Sequence, residues 1–385
     1  MRGAAIAVFI SIALLVYGAI NWYIFLRGWQ ALPRLPWLRV AYAALFVLSA
    51  GAFVAGRFLE RTNCTDLTTA MVWIGSFWLA GILYFILSLI SLDLLRLSNA
   101  LFHWWPRAVT EHYLSAKAAA FALVLGGALI TVIAGHVNAL SPRVARLELG
   151  IDKTAGARRE LRIALVSDIH LGTIIGNGRL ASLVDLVNAQ QPDLILLAGD
   201  IVDEDIGRVI RDNLGETLRK FEAPLGVYGI TGNHEYIGGA AAVVEYLNGH
   251  GVTMLRDSVA LIEGGFYLAG RDDRSGKRFD GRLRRSLHDL LKGVDRTKPV
   301  ILLDHQPFDL DSAAAQGADL QLSGHTHHGQ LWPLNFITNR VYELSWGYKK
   351  KGSTHFYVSS GYGTWGPPVR TGNRPEIVVI TLRFK

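Results

Sequence analysis

Two kinds of hydrophobic pattern divide this chain. Over residues 1–140 apolar positions run on almost without a break, whereas from residue 160 they come in short blocks separated by amphipathic and polar stretches. Long unbroken apolar runs predict membrane-spanning helices, each needing about 20 residues to cross a hydrocarbon core of roughly 30 Å. Four are expected, near residues 4–26, 40–56, 70–92 and 118–137, the second being short. The blockwise pattern predicts an α/β domain. Buried runs at 161–167, 193–198, 226–230, 299–304 and 318–322 read as strands, and stretches such as 178–190 and 207–220 as helices. The expected organisation is a transmembrane helical region over 1–140, a linker over 141–159 and a second domain over 160–385. A chain of 385 residues is longer than one core usually organises.

The first apolar run begins after Arg2 and is too long for a signal peptide, with no clear small-residue cleavage site behind it, so it is read as a retained anchor. Trp22, Tyr23, Trp29, Trp37, Trp104 and Trp105 fall near segment ends, where amphipathic rings suit the headgroup level; ordinary helix packing is the other reading. Asp93 and His136 lie at segment ends and are read as interfacial residues, not as a transport path. An even number of spans puts the N-terminus and residues 160–385 on one side. The opposite turns carry Arg27, Arg34, Arg39, Arg96, Arg107 and Lys117, against Arg2, Arg57, Arg61, Arg143 and Arg146 on the near side. Positive charge favours the cytoplasmic side, so the balance tilts the second domain outward from the cell inner (plasma) membrane.

The net charge of +7 suits nucleic acid or anionic lipid. With membrane spans present, and no basic arm, zinc finger or aromatic RNA motif, the expected partner is lipid and not nucleic acid. Lys349, Lys350 and Lys351 are read as a solvated turn in preference to a headgroup patch. The single cysteine, Cys64, cannot form an intrachain disulfide. It lies between two apolar segments without a Cys/His neighbourhood, which argues against a thiol nucleophile.

Each block of the second domain stops at polar residues. The run from Leu161 ends at Asp168 and His170, that from Asp193 at Gly199-Asp200, and that from Gly226 at Gly232-Asn233-His234-Glu235. The run from Pro299 ends at His305, and that from Ala318 at Gly324-His325-Thr326-His327. Side chains at the carboxyl ends of neighbouring strands converge on one crevice. Singly these motifs are weak, since Gly-Asp after a strand is commonly a turn. Together, Asp168, His170, Asp200, Asn233, His305, His325 and His327 make a mixed oxygen and nitrogen set that suits Mn²⁺, Fe or Zn²⁺. Seven ligands exceed one tetrahedral ion. Two ions about 3.5–4 Å apart and sharing a carboxylate account for them, a geometry used to clamp in-line displacement at phosphorus. Gly199, Gly232 and Gly324 let the chain turn without a Cβ clash, or serve as generic turn residues.

These ordered blocks resemble the calcineurin-like metallophosphoesterase superfamily, and Ser323–Gln330 with Trp365–Glu376 looks like its bacterial membrane-associated branch. The resemblance implies a four-layer α/β sandwich over residues 160–385, preceded by the all-α transmembrane domain of four helices. It implies two divalent ions, one held by Asp168, His170, Asp200 and His327, the other by Asp200, Asn233, His305 and His325. Asp200 then bridges, and His234 stands just outside the metal shell to stabilise charge or protonate the leaving oxygen. The implied mechanism is attack by a metal-bridging hydroxide. His328 stands where the branch often has Gly and is expected to face solvent. Asp203 and Glu235 are candidates to orient a ligand histidine. Arg271 and Arg370 are candidate phosphate contacts, an ordinary surface salt bridge being the other reading of each.

The apolar loop 331–337, with Trp346, Tyr348 and Trp365, marks either core or a lipid-facing surface. The expected activity is a membrane-anchored phosphohydrolase acting on a phosphodiester or pyrophosphate carried by a lipid. The alternative is a membrane receptor or transporter accessory whose phosphoesterase-like half only binds a phosphorylated ligand. The pattern leaves the oligomeric state open.

Overall fold

A computed structural model describes residues 2–60 and 65–385, with side chains described from Val8 and Ile10 onward. Arg61 and Cys64, used above for sidedness and thiol chemistry, lie outside the described residues. The chain separates into two compact units, Met1–Gly135 and His136–Lys385.

The first unit consists of α1 (Arg2–Ala31), α2 (Pro36–Glu60), α3 (Asp66–Phe102), the short α4 (Arg107–Glu111) and α5 (Tyr113–Ala139), whose last turn enters the second unit. Four of these helices are long and apolar enough to cross a membrane. They outrun the apolar stretches that announced them, because local signals beyond those stretches set their ends. Pro36 opens α2, where its missing N–H costs nothing. Thr65 caps α3 through a reciprocal bond with Thr68, and left-handed His103 (φ 51°) closes it. Asp93 therefore sits inside α3. It pairs with Arg27 and accepts the Tyr23 hydroxyl at 2.6 Å, so it is a bonded interhelical group. Trp22 likewise lies inside α1, 60% exposed, with its ring stacked on Phe25.

The second unit is built on two six-stranded sheets. The first runs β1 (Arg143–Ile151), β12 (Glu376–Phe384), β2 (Glu160–Val166), β3 (Leu194–Leu197), β4 (Val227–Gly229), β5 (Val252–Met254). The second runs β10 (Gly347–Lys351), β11 (Thr354–Val358), β9 (Leu320–Ser323), β8 (Val300–Leu303), β7 (Phe266–Gly270), β6 (Ser258–Ile262). The central strands pair in parallel and are apolar on both faces, as Leu194–Leu197 and Val300–Leu303 are wholly buried. Between the sheets lies one core that includes Ile163, Leu165, Leu196, Ile301, Leu322 and Ile380. Outside them, α6 (Asn177–Asn188) buries Leu180, Leu183, Val184 and Val187. Leu287, Leu290, Leu310 and Ala313 of short helices cover Val300 and Leu302 of the second sheet. This is the four-layer arrangement that the resemblance implies.

Two expectations differ from what is observed. Residues 143–151, expected as linker, form β1, paired residue for residue with β12 from Arg143↔Glu376 to Ile151↔Phe384. Its partner strand lies at the far end of the chain, so no local pattern marks it. Lys349–Lys351 are not in a turn but in β10, a sheet edge. Lysine suits an unpaired edge because its charge discourages strand addition.

Candidate metal centre

All seven expected ligand positions follow the carboxyl end of a strand: Asp168 and His170 after β2, Asp200 after β3, Asn233 after β4, His305 after β8, His325 and His327 after β9. Three strands belong to one sheet and two to the other, so the crevice lies across the carboxyl ends of strands from both sheets. Asp168, His170, Asp200, His325 and His327 all have positive φ, from 45° to 72°. Each such non-glycine residue costs roughly 1 kcal/mol or more, and strain of this kind collects where side chains must be aimed.

The aim is convergent. Ligand-capable atoms of Asp168, His170 and His327 lie within 4.8 Å of one another, and so do those of Asp200, His305 and His325. In the first group, Nε2 of His170 and Nε2 of His327 approach to 3.1 Å, with Asp168 Oδ1 3.4 Å from the latter. Asp200 Oδ2 stands between the groups, 3.1 Å from His305 Nε2 and 4.0 Å from His170 Nε2. Its other oxygen accepts the His234 N–H at 2.9 Å.

These residues fit divalent cations on the structure's own terms. Asn233 Oδ1 is buried and accepts no hydrogen bond from the described residues, an uncommon cost for a buried acceptor. His305 Nδ1 lies 2.7 Å from the Ala198 carbonyl, which fixes that nitrogen as the donor and leaves Nε2 facing the cluster. Burial, and then the positive charge of His305, push His325 down to about 3; burial and His170 push His327 down as well. Both imidazoles are thus neutral, with lone pairs to offer. Burial and the neighbouring Asp200 carboxylate raise Asp168. Asp200 itself is held well below the ordinary carboxylate value, because the charge and hydrogen bond of His305 outweigh its burial. Two buried carboxylates side by side call for concentrated positive charge.

His234 lies in the first turn of the helix Asn233–Gly238. Its ring meets His170 edge-on at 4.6 Å, and its Nδ1 lies 3.0 Å from Asp203 Oδ1. Burial opposes its charge, but Asp203 and Asp200 overcome that and raise it to about 9. Asp203 also stands 3.6 Å from His170 Nδ1, so it addresses both a candidate ligand histidine and His234.

Glu235 does something different from what was expected. Its carboxylate accepts the N–H groups of Gly232 (2.6 Å), Asp200 (3.1 Å) and Val202 (2.9 Å), and it orients no histidine. It ties the loops carrying Asp200 and Asn233 together. His328 does not face solvent: it is half-buried, 2.7 Å from Ser345 Oγ. Neither arginine offers itself to phosphate. Arg271 is buried against Asp304 at 3.0 Å. Arg370 is wholly buried, bonded to the carbonyls of Gly361 and Gly363 and to Asn373, with Nη2 3.2 Å from His327 Nδ1. Both sit in the interior, not on the surface where a salt bridge was the other expectation.

The glycines matter through contact as well as through turning. Of the three, only Gly199 has the left-handed φ, 87°. A Cβ on Gly232 would lie 2.2 Å from Asp200 Oδ1, and one on Gly324 would lie 2.3 Å from Asp168 Oδ2. Sequence reasoning missed Tyr342, whose ring packs edge-on against His325 at 6.0 Å, and the Arg370 bonds that hold the 361–373 segment behind His327. Neither lies at a strand end, and neither carries a periodic signal.

A family model described as calcineurin-like phosphoesterase matches residues 161–329. The chain is 33% identical over 252 residues to an uncharacterized metallophosphoesterase of Aquifex aeolicus, covering 65% of this chain and 95% of that protein. It is 34% identical over 267 residues to a transmembrane protein with metallophosphoesterase domain of Danio rerio, covering 66% of this chain and 60% of that one. Among solved structures it is similar to a protein of Thermus thermophilus, with TM-score 0.35 and 16% identity over 52% of this chain and 90% of the other.

Proposed function

We propose, from the premise that this chain belongs to the calcineurin-like phosphoesterase family and is a membrane protein and metal-dependent phosphoesterase, that it hydrolyses a phosphodiester or pyrophosphate carried by a lipid. The observation that carries the lipid assignment is the apolar surface beside the cluster. Trp332, Phe336 (64% exposed), Ile337 and Val341 are exposed on and before the helix Asn335–Val341. That helix leads into Tyr342, which packs on His325. Trp365, 57% exposed, meets the His234 ring at 6.4 Å. Bulky apolar groups left in the open at a reaction centre suit an apolar substrate or surface.

In this reading Asp168, His170, Asp200 and His327 hold one divalent ion, and Asp200, Asn233, His305 and His325 the other. When bound, such a pair makes water acidic enough to attack phosphorus and neutralises charge on the phosphoryl oxygens. The chain's own groups do the rest. Asp200 spans both ligand groups and fixes their spacing. Glu235 holds the loops of Asp200 and Asn233 together by accepting the N–H groups of Asp200, Val202 and Gly232. His234, placed by Asp203, faces the cluster where it can give a proton to the departing oxygen, and Trp365 shields that edge from water. We place the catalytic unit outside the inner membrane, in accord with the arginines and Lys117 on the opposite turns.

The test uses full-length protein stripped of metal, then given Mn²⁺, Zn²⁺ or Mg²⁺, with chromogenic phosphodiester and phosphomonoester substrates and an Asp200→Asn control. Return of activity with metal, preference for the diester, and faster turnover of a vesicle-borne lipid diester than of its soluble analogue support the reading. Equal rates on soluble and membrane-borne substrates sink the lipid assignment, and full activity in Asp200→Asn or His234→Ala sinks the site. Protease added to sealed right-side-out vesicles should cut the catalytic unit; protection would reverse the sidedness.

A further inference from the structure

The helical unit holds a half-open cavity of about 580 Å³ lined by α1, α2, α3 and α5, within the range of roughly 300–1,000 Å³ typical of small-ligand sites. Its walls are overwhelmingly apolar, yet three cations line it: Arg27, Arg96 and Lys117. Consecutive spans alternate in direction, so the end of α1, the end of α3 and the start of α5 lie at one membrane face. Arg27 and Arg96 sit in the closing turns of α1 and α3, and Lys117 in the first turns of α5. The cations therefore gather at one mouth, at headgroup depth, with Trp104 beside them.

Asp93 is the only acidic residue lining the cavity among those described, and its carboxylate is taken by Arg27 and the Tyr23 hydroxyl, with Arg96 at 3.6 Å. Lys117 has no acidic partner within ion-pair distance among the described residues. Three cations against one anion leave a net charge of +2 beside largely apolar walls. From Arg96 inward the cavity follows α3 to Trp78, roughly 27 Å of helix at about 1.5 Å per residue. That exceeds one leaflet of hydrocarbon, about half of roughly 30 Å.

We propose that this cavity holds one anionic phospholipid, its phosphate at Arg96 and Lys117 and an acyl chain in the apolar gap between α5 and the other helices. A chain alone would explain the apolar walls and a free anion would explain the cations; a lipid with a phosphate headgroup explains both. The site lies wholly within the helical unit and stands whether or not the substrate of the metal centre is a lipid.

The experiment is lipid titration of full-length protein in neutral detergent, read by native mass spectrometry, with phosphatidylglycerol and phosphatidylcholine of identical chains. A net charge of +2 predicts roughly thirtyfold tighter binding of the anionic lipid. Arg96→Gln with Lys117→Gln should abolish that preference, Lys117→Arg should keep it, and Ala120→Phe, which fills the gap, should weaken both lipids. Inorganic phosphate should not displace the lipid. Equal affinity for the two lipids, a preference that survives the double substitution, or displacement by phosphate would each overturn the proposal. Hydrolysis of a soluble phosphodiester by the same variants should match the parent, which shows that the catalytic unit is folded and separates this result from any failure at the metal centre.

Discussion

His234 Nδ1 lies 3.0 Å from an oxygen of Asp203, and with His170, shared with the Asp168 group, the two make a third group whose ligand-capable atoms lie within 4.8 Å of one another. In the proposed reading Asp203 acts through His234 and through His170, 3.6 Å away. Asp203→Asn should lower kcat on a soluble phosphodiester about 10- to 100-fold. Combined with His234→Ala it should add little, since the two act as one unit. Steady-state kinetics of the double-mutant cycle decide it, additive losses counting against the pairing.

Gly324 leaves room for one oxygen of Asp168. Gly324→Ala would bring a methyl to 2.3 Å from that oxygen and 2.7 Å from Ser167 Cβ, and the carboxylate must move. The expected result is a loss of bound metal of at least about tenfold in affinity, measured by elemental analysis after dialysis against graded free metal. A variant that keeps its full metal content would show the contact to be yielding.

Asp272 ties together Tyr236 (2.6 Å), Thr231 (2.7 Å), Arg256 (3.2 Å) and Arg282 (2.9 Å). Burial pushes its pKa up, but the Tyr236 and Thr231 hydrogen bonds and the Arg256 charge outweigh that and hold it below the ordinary value of 3.8. A carboxyl depressed by folding contributes stability that is present above the ordinary pKa and lost as pH falls through the folded one. Asp272→Asn should therefore cost about 3 kcal/mol at pH 7, seen as a thermal midpoint roughly 6–12 °C lower. The gap to the parent should narrow below about pH 4; a constant gap would mean the loss is one of packing.

The exposed Trp332, Phe336 and Ile337 should serve lipid contact and not folding. Replacing all three with Ser should leave kcat/KM on a soluble diester within about twofold. The rate on vesicle-borne substrate should fall at least about tenfold, as three apolar side chains withdraw from lipid. Parallel losses on both substrates would assign the patch to the architecture of the site.

The chain by itself determined two things well. Uninterrupted apolar runs marked helices long enough to cross a membrane, and buried strands ending in Asp, His or Asn could be read because burial and turn chemistry are local properties. The ligand candidates Asp168, His170, Asp200, Asn233, His305, His325 and His327 were legible for that reason. Contacts between distant segments were not. That the ligand-bearing strands divide between two sheets, that β1 pairs with the C-terminal β12, that Glu235 serves backbone amides, and that Arg370 is buried behind His327 all depend on residues brought together from far apart. The same holds in the helical unit, where Lys117 was one charge on a turn until α1, α3 and α5 gathered it with Arg27 and Arg96 around one cavity. Periodicity reports which face of a segment is buried; it says nothing of which segment lies across from it, and only tertiary packing supplies that partner.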